Sequence, residues 1–365
     1  MKKKLYYLDG LKTILSLSIV LFHYSAMFDH EPAKLPFSSF PQFADIIRRG
    51  NYAVEIFFII SGFLIAYNYK EKIRQTSFFS FLKKRLHFLY WSAFFSVILG
   101  IVSRLLAIWV LDWENNLNFW DILLSLTLTS HGYLQGKWPY GTTSWYIGIL
   151  VLCYFIYYII SKISIRKPHM YFPLCIALII VGWVCIYKFI SFPFLYYNSA
   201  ARGYCCFFTG VLMHDFQNSK IFNKKALAYT GLTIFAFFAL ITFHLGYKST
   251  WGRFNLAMPV FIAPTIFLAV LNIENIQKIL SIKPLYIISK INTALYLTHV
   301  STMSILWTIN VHFKLGFQSD DPLYLCINIL VCYITAYIWH LLVDKRFIPK
   351  FVVFIKKIYL NHEET

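Results

Sequence analysis

The sequence predicts an all-α protein: a polytopic membrane helical bundle of about ten transmembrane helices, with both termini in the cytoplasm. Three observations carry that expectation. Of the 365 residues, 58% are apolar and 20% aromatic, and only 14% are charged, against ~25% charged in an ordinary soluble domain. Apolar stretches near the ~20 residues needed to cross a bilayer recur along the whole chain. Lys and Arg gather in alternate intervals between those stretches, which is the positive-inside pattern. This composition excludes a disordered chain, a coiled coil, a collagen and a typical cytosolic enzyme.

The first stretch lies in MKKKLYYLDGLKTILSLSIVLFHYSAMF. It has the basic start and apolar core of a signal peptide but no small-residue cleavage site, so it reads as an uncleaved span. Spans are expected near 7–28, 52–69, 87–111, 143–161, 170–190, 201–217, 227–246, 255–272, 285–310 and 323–343. Segment 118–130 (NFWDILLSLTLTS) is short and carries Asp121, so it reads as re-entrant or interfacial. With Lys2, Lys3 and Lys4 in the cytoplasm, 23 of the 34 Lys and Arg fall on that side and eight on the other. If 118–130 also spanned, the later basic loops would all face outward. Topology thus accounts for a net charge of +18 that in a soluble chain would point to nucleic acid, and no nucleic-acid partner is expected. The one sizeable outer segment is 29–51. There is no internal repeat, Gly/Ser linker or low-complexity tract. The chain divides into one membrane domain, 1–345, and a basic cytoplasmic tail, 346–365. All seven cysteines sit in apolar runs without CxxC or zinc spacing and read as buried apolar residues.

Ionisable groups at membrane depth cost roughly 2.5–3.5 kcal/mol each on insertion scales, so they are functional candidates. Lys12 and His23 are 11 residues apart, which puts them within ~20° of one another around a helix and ~16 Å apart along it. Ser16 shares their stripe. One helix would then present a line from the cytoplasmic surface to a deep imidazole. The plainer alternative is a lysine snorkelling to headgroups and a histidine satisfying a carbonyl. Glu55, in NYAVEIFFIISGFLIAY, needs a partner. A histidine would be oriented and made more basic by it; an Arg or Lys on another helix would make it structural. Lys83, Lys84 and Arg85, in the loop FLKKRLHFLYW, could grip donor phosphates or serve topology and lipid headgroups. Arg202, in ARGYCCFFTG, is suited to a carboxylate or a ligand anion. Tyr296 and His299, in ISKINTALYLTHVSTM, share a helix face. No close His/Asp cluster suggests a metal site.

Together these segments resemble the acyltransferase 3 family of integral membrane acyltransferases. YYLDGLKTILSLSIVLFHYS is similar to the family's LDGLR signature followed by ten residues and a His, with Lys12 at the Arg position and His23 at the His. VEIFFIISGFLIAY matches the motif with an acid before FF and SGF after it, giving Glu55, Ser61 and Gly62. KKRLHFLYW resembles the basic motif before the third span, with Lys84 and Arg85 and with Leu89 in place of the usual Pro. SWYIGILVLCY gives Trp145 and Tyr154, ARGYCCFFTGVLM gives Arg202 and Gly210, and INTALYLTHV gives Tyr296 and His299. VDKRFIP resembles the closing motif, with Asp344 in place of Glu.

The resemblance implies a bundle of about ten spans in a bacterial inner membrane. It implies transfer of an acyl group, with acetyl from acetyl-CoA expected, to a hydroxyl of a surface polysaccharide or lipid-linked saccharide (O-acetylation). Acyl-CoA is then a donor substrate, and no bound cofactor or metal is expected. In that reading His23 is the general base or a covalent acyl relay, and Glu55 orients it. Lys12, Lys84 and Arg85 hold the donor phosphates, and Trp145, Arg202, Tyr296 and His299 line the acceptor or thioester path. The rival is a transporter or flippase of a lipid-linked sugar. Inverted repeats would favour it, and Lys12/His23 has no counterpart in the second half of the chain.

Overall fold

Backbone polar groups in a lipid environment must be satisfied within their own segment, and for a single apolar run the helix does this. The computed structural model describes residues 5–28, 47–114, 117–134, 137–220, 223–245 and 256–353. It is 83% helix, with no strand among the described residues. In chain order the helices are α1 (Tyr6–Phe28), α2 (Ala53–Tyr69), α3 (Phe78–Leu111), α4 (Phe119–Leu126), α5 (Trp145–Arg166), α6 (Tyr171–Lys188), α7 (Ala200–Asn218) and α8 (Lys224–Leu245). A π-helical segment, Met258–Ile262, leads into α9 (Ala263–Asn272). Then come α10 (Glu274–Leu280), α11 (Lys283–Ser289), α12 (Asn292–His312) and α13 (Pro322–Trp339).

Among the described residues, six helical stretches are long and apolar enough to cross a membrane: Tyr6–Met27, Arg49–Tyr69, Phe78–Leu111, Trp145–Arg166, Pro168–Lys188 and Pro322–Val353. Met258–Asn272 together with Glu274–Leu280, bent by 89°, would make a seventh. Three further expected spans coincide with α7, α8 and α12, of 19, 22 and 21 residues. α7 carries Arg202, His214 and Asp215, and α12 carries Asn, Ser, Thr and His side chains. Large apolar side chains such as Phe79, Trp109, Leu240 and Leu330 face outward, a surface suited to lipid rather than water.

Several boundaries differ from the sequence expectation. α3 begins well before residue 87, because Ser77 caps it by accepting from the Ser80 amide at 3.3 Å. Lys83, Lys84 and Arg85 are therefore on a helix and not in a loop, and helical spacing points them in different directions. The stretch 285–310 is interrupted at Lys290–Ile291, between α11 and α12. Segment 118–130 contains only the eight-residue α4, whose rise of ~12 Å cannot cross a bilayer. Asn118 caps it, accepting from the Trp120 and Asp121 amides. The boundary expected at residue 345 falls inside a helix that continues to Val353 through a π-helical segment, His340–Phe347. There Asp344 accepts from Ser92 of α3 at 2.9 Å, tying this segment to α3. Six cysteines are buried, but Cys326 is exposed. Lys2–Lys4, residues 29–46 of the expected outer segment and residues 354–365 of the expected tail lie outside the described residues.

Two packing relationships position the site. α2 runs along α7, and the contact is backbone-close: a Cβ on Gly62 would overlap the Phe207 carbonyl, and one on Gly210 the Ile59 carbonyl. α12 packs against α1, α3 and α13. Asn292, at the start of α12, donates to Thr13 Oγ1 on α1 at 3.0 Å.

Candidate active site

The contact of α1 with α12 brings two imidazoles together. His299 is fully buried. Its Nδ1 lies 2.8 Å from the Leu295 carbonyl oxygen one turn back, and its Nε2 lies 3.0 Å from His23 Nδ1. His23 Nδ1 is also 3.0 Å from the Ile19 carbonyl oxygen. The two rings are 4.9 Å apart and inclined by 60°. Helical periodicity put His299 on the face of Tyr296, and the packing makes that face the one that meets His23.

The contact of α2 with α7 brings two opposite charges together. Arg202 Nε donates to Glu55 Oε1 at 2.6 Å and Nη2 donates to Glu55 Oε2 at 2.8 Å. Nη2 also donates to the Asn51 carbonyl at 3.1 Å. The guanidinium carbon lies 5.8 Å from the centre of the Trp145 ring. The expected pairing of Glu55 with His23 is therefore corrected: both carboxylate oxygens serve Arg202, and the neighbour of His23 is His299. The physical reason is the planar guanidinium fork, which matches a carboxylate with two parallel bonds.

Two cavities lie along these elements and share Tyr296. The one at the His23 end of α1, outer in the orientation expected from the sequence, is about 590 Å³ and is lined by His23, Arg202, Trp145, Trp138, Asn51 and Asn198, among others. The one at the Lys12 end, inner in that expected orientation, is about 410 Å³ and is lined by Lys12, Ser16, Ser61, Arg85, Tyr146 and Tyr154, among others. Lys12 and His23 thus face different cavities from one stripe of α1, with Tyr296 between them. Lys12 Nζ is 3.4 Å from Asp9 Oδ1. The Arg85 guanidinium carbon sits 4.4 Å from the Tyr69 ring centre, and Leu89 lines the same inner cavity. Ser61 Oγ and the Tyr146 hydroxyl are hydrogen-bonded at 3.0 Å. Among the described residues, no group of three or more His, Cys, Asp or Glu side chains could hold a metal ion.

A family model described as an acyltransferase domain matches residues 5–343, nearly the whole chain. The chain belongs to the acyltransferase 3 family. Compared with the curated proteins and with the solved structures, it has no match in either set. As an acyltransferase 3 member with several apolar membrane-length helices, it is a multi-pass membrane acyltransferase.

Within this acyltransferase 3 chain, the residues singled out from sequence separate into three places. His23, Trp145, Arg202 and Tyr296 line the outer cavity, with His299 directly behind His23 and Glu55 behind Arg202. Lys12 and Arg85 line the inner cavity. Lys84 is exposed and lines neither. Sequence reasoning missed Trp138 and Asn198 because they lie in irregular chain where no period marks a facing side, and Asn51 because it sits in the short 3-10 turn that opens the Arg49–Tyr69 stretch, before the regular helix begins. It also missed Tyr146. Adjacency to Trp145 on a strongly apolar helix could have drawn attention to it, but among 26 tyrosines an aromatic alone carries little information.

Proposed function

We propose that this protein is an O-acetyltransferase of the bacterial cytoplasmic membrane. In this reading the chain crosses the membrane about ten times with both termini in the cytoplasm. It moves an acetyl group from acetyl-CoA to a hydroxyl of a cell-surface or lipid-linked saccharide. The observation that carries the proposal is the pair of cavities meeting at Tyr296, one with the basic side chains Lys12 and Arg85 and the other with His23. A donor with an anionic head and a long thiol arm suits that geometry: phosphates at Lys12 and Arg85, thioester carried past Tyr296. Lys84 has no place in the donor site.

The chemistry then needs one base. The acceptor hydroxyl attacks the thioester carbonyl, and His23 takes the hydroxyl proton as the C–O bond forms. The tetrahedral intermediate collapses, the C–S bond breaks, and the departing thiolate takes the proton from His23 to leave as free CoA thiol. General-base catalysis of this kind typically contributes 10²–10⁴-fold. Trp138 and Trp145 offer flat apolar faces to the C–H face of a sugar ring, while Asn51 and Asn198 offer amides to its hydroxyls. The transporter alternative has one observation on its side, the bent pair α9–α10, but none of the residues of that pair lines either cavity.

The deciding experiment is transfer of labelled acetyl from acetyl-CoA by purified protein in proteoliposomes with a panel of saccharide and lipid-linked acceptors. The wild type is expected to label an acceptor, and His23→Ala is expected to abolish labelling while inserting and purifying normally. Wild-type activity in His23→Ala would overturn the assignment of the base. Movement of a lipid-linked sugar between leaflets without thioester cleavage would overturn the transferase reading.

A further inference from the structure

We infer that His299 is a positioning residue for the reaction. It holds His23 as the tautomer whose Nε2 is the base, and it stabilises the charge that His23 acquires. The inference rests on the proposed role of His23 and deepens it.

The argument is one of donors and acceptors. A carbonyl oxygen only accepts, so the 2.8 Å contact to Leu295 O places a hydrogen on His299 Nδ1. In a neutral ring the other nitrogen is then an acceptor. His299 Nε2 therefore presents a lone pair to His23 Nδ1 at 3.0 Å. His23 Nδ1 faces a second acceptor, Ile19 O, also at 3.0 Å. Only an N–H at this position satisfies both, and it is shared between them. The opposite tautomer would bring three lone pairs together in a buried site. A charged His299 would need a second proton in a ring that is fully enclosed. One assignment remains, with Nδ1–H on both rings and the lone pair of His23 on Nε2, the nitrogen left for a substrate hydroxyl at the cavity.

This arrangement does the work that a carboxylate does for a catalytic histidine elsewhere: it fixes the tautomer, orients the ring and stabilises the imidazolium. It does so without adding a formal charge at membrane depth. When His23 Nε2 takes the hydroxyl proton, its Nδ1–H becomes a charge-assisted donor to His299 Nε2. The hydrogen bond to His299 stabilises the imidazolium, and the charge is discharged when His23 gives the proton to the thiolate. Glu55 is not needed for this task, because Arg202 occupies it.

The test uses the full chain in nanodiscs, with His299→Leu, which keeps bulk, and His299→Gln, whose amide oxygen can accept from His23 Nδ1. His299→Leu is expected to lower kcat for acetyl transfer by about a hundredfold or more with little change in KM for acetyl-CoA. His299→Gln is expected to recover most of that loss. Near-wild-type kcat in His299→Leu, or a His299→Gln variant no better than His299→Leu, would overturn the inference. Size-exclusion elution and thermal unfolding identify any variant that fails to fold. A second readout needs no activity: in ¹⁵N-histidine spectra the resonances lost in His23→Ala should report a protonated Nδ1 and an unprotonated Nε2. The reverse tautomer would sink the proposal. If the wild type transfers no acetyl group at all, the functional reading has failed, and the spectra decide the tautomer separately.

Discussion

Glu55 and Arg202 hold each other through two parallel hydrogen bonds, 2.6 and 2.8 Å long, across 147 residues of sequence. Both side chains are largely enclosed, at 3% and 16% exposure. Removing one partner of a buried pair strands the other charge and costs about 3–5 kcal/mol, whereas replacing both with apolar groups often costs far less. Glu55→Ala is therefore expected to lower thermal stability in detergent strongly, and Glu55→Ala with Arg202→Met is expected to recover much of the loss. Arg202→Lys should not behave as a conservative change, since an ammonium cannot make both bonds at once. Thermal unfolding of the three variants beside the wild type checks this. A single variant as stable as the wild type would mean that the pair does not hold α2 to α7.

The same helix pair makes a second prediction, which involves no charge. Gly62 and Gly210 let α2 and α7 approach until backbone meets backbone, a close approach that membrane helices commonly reach through small residues. Gly62→Ala puts a methyl group against the rigid Phe207 carbonyl. It is expected to reduce the yield of folded protein and the unfolding temperature, by an amount in the 1–3 kcal/mol range of overpacking. Gly316, which has open space around it and a positive φ of 80°, serves as a contrast. Gly316→Ala should cost only local backbone strain and leave the helix packing intact.

Donor recognition predicts a split between adjacent residues. Arg85 lines the inner cavity, and Lys84 points out of it and is exposed. Arg85→Ala should raise KM for acetyl-CoA by tenfold or more and change kcat less, because it removes binding shared by ground state and transition state. Lys84→Ala should leave both constants unchanged. Steady-state kinetics in proteoliposomes gives the answer. Equal effects at the two positions would mean a diffuse electrostatic role for the basic cluster rather than a donor site.

That split also shows what could be read from the sequence. Long apolar runs located the helices, because composition decides helix existence in lipid, but not all of their ends: α3 starts well before residue 87 and the run 285–310 is broken at Lys290–Ile291. Buried charges identified themselves as residues in need of partners. Which partner each found was not legible. Glu55 could have met His23 or an arginine, and nothing in either segment says that α2 lies along α7. His23 and His299 were each placed on a helix face, but their contact depends on how α1 and α12 pack 276 residues apart. Lys84 and Arg85 looked equivalent as a loop and diverged once Ser77 started the helix early. Trp138 was invisible for the opposite reason: it sits in irregular chain where no period marks an inward side.

Trp138 gives the prediction that most directly concerns the acceptor. It lies against His131, with ring centres 3.9 Å apart and planes inclined by 19°, and it stands at 73° to Trp145 across 5.8 Å. Both indoles line the cavity that contains His23 and Arg202, yet Trp138 keeps half of its surface open. A half-open indole braced by a neighbouring ring is a preorganised surface for an apolar ring face, and aromatic pairing of this kind is worth about 0.5–1.5 kcal/mol beyond area burial. Trp138→Ala should raise KM for a saccharide acceptor by about tenfold, which corresponds to about 1.4 kcal/mol. It should leave KM for acetyl-CoA and any slow acceptor-independent thioester hydrolysis unchanged, and Trp138→Phe should retain part of the affinity. Loss of donor affinity or of hydrolysis in Trp138→Ala would instead make the indole part of the cavity's framework, and the acceptor would have to be sought against another wall.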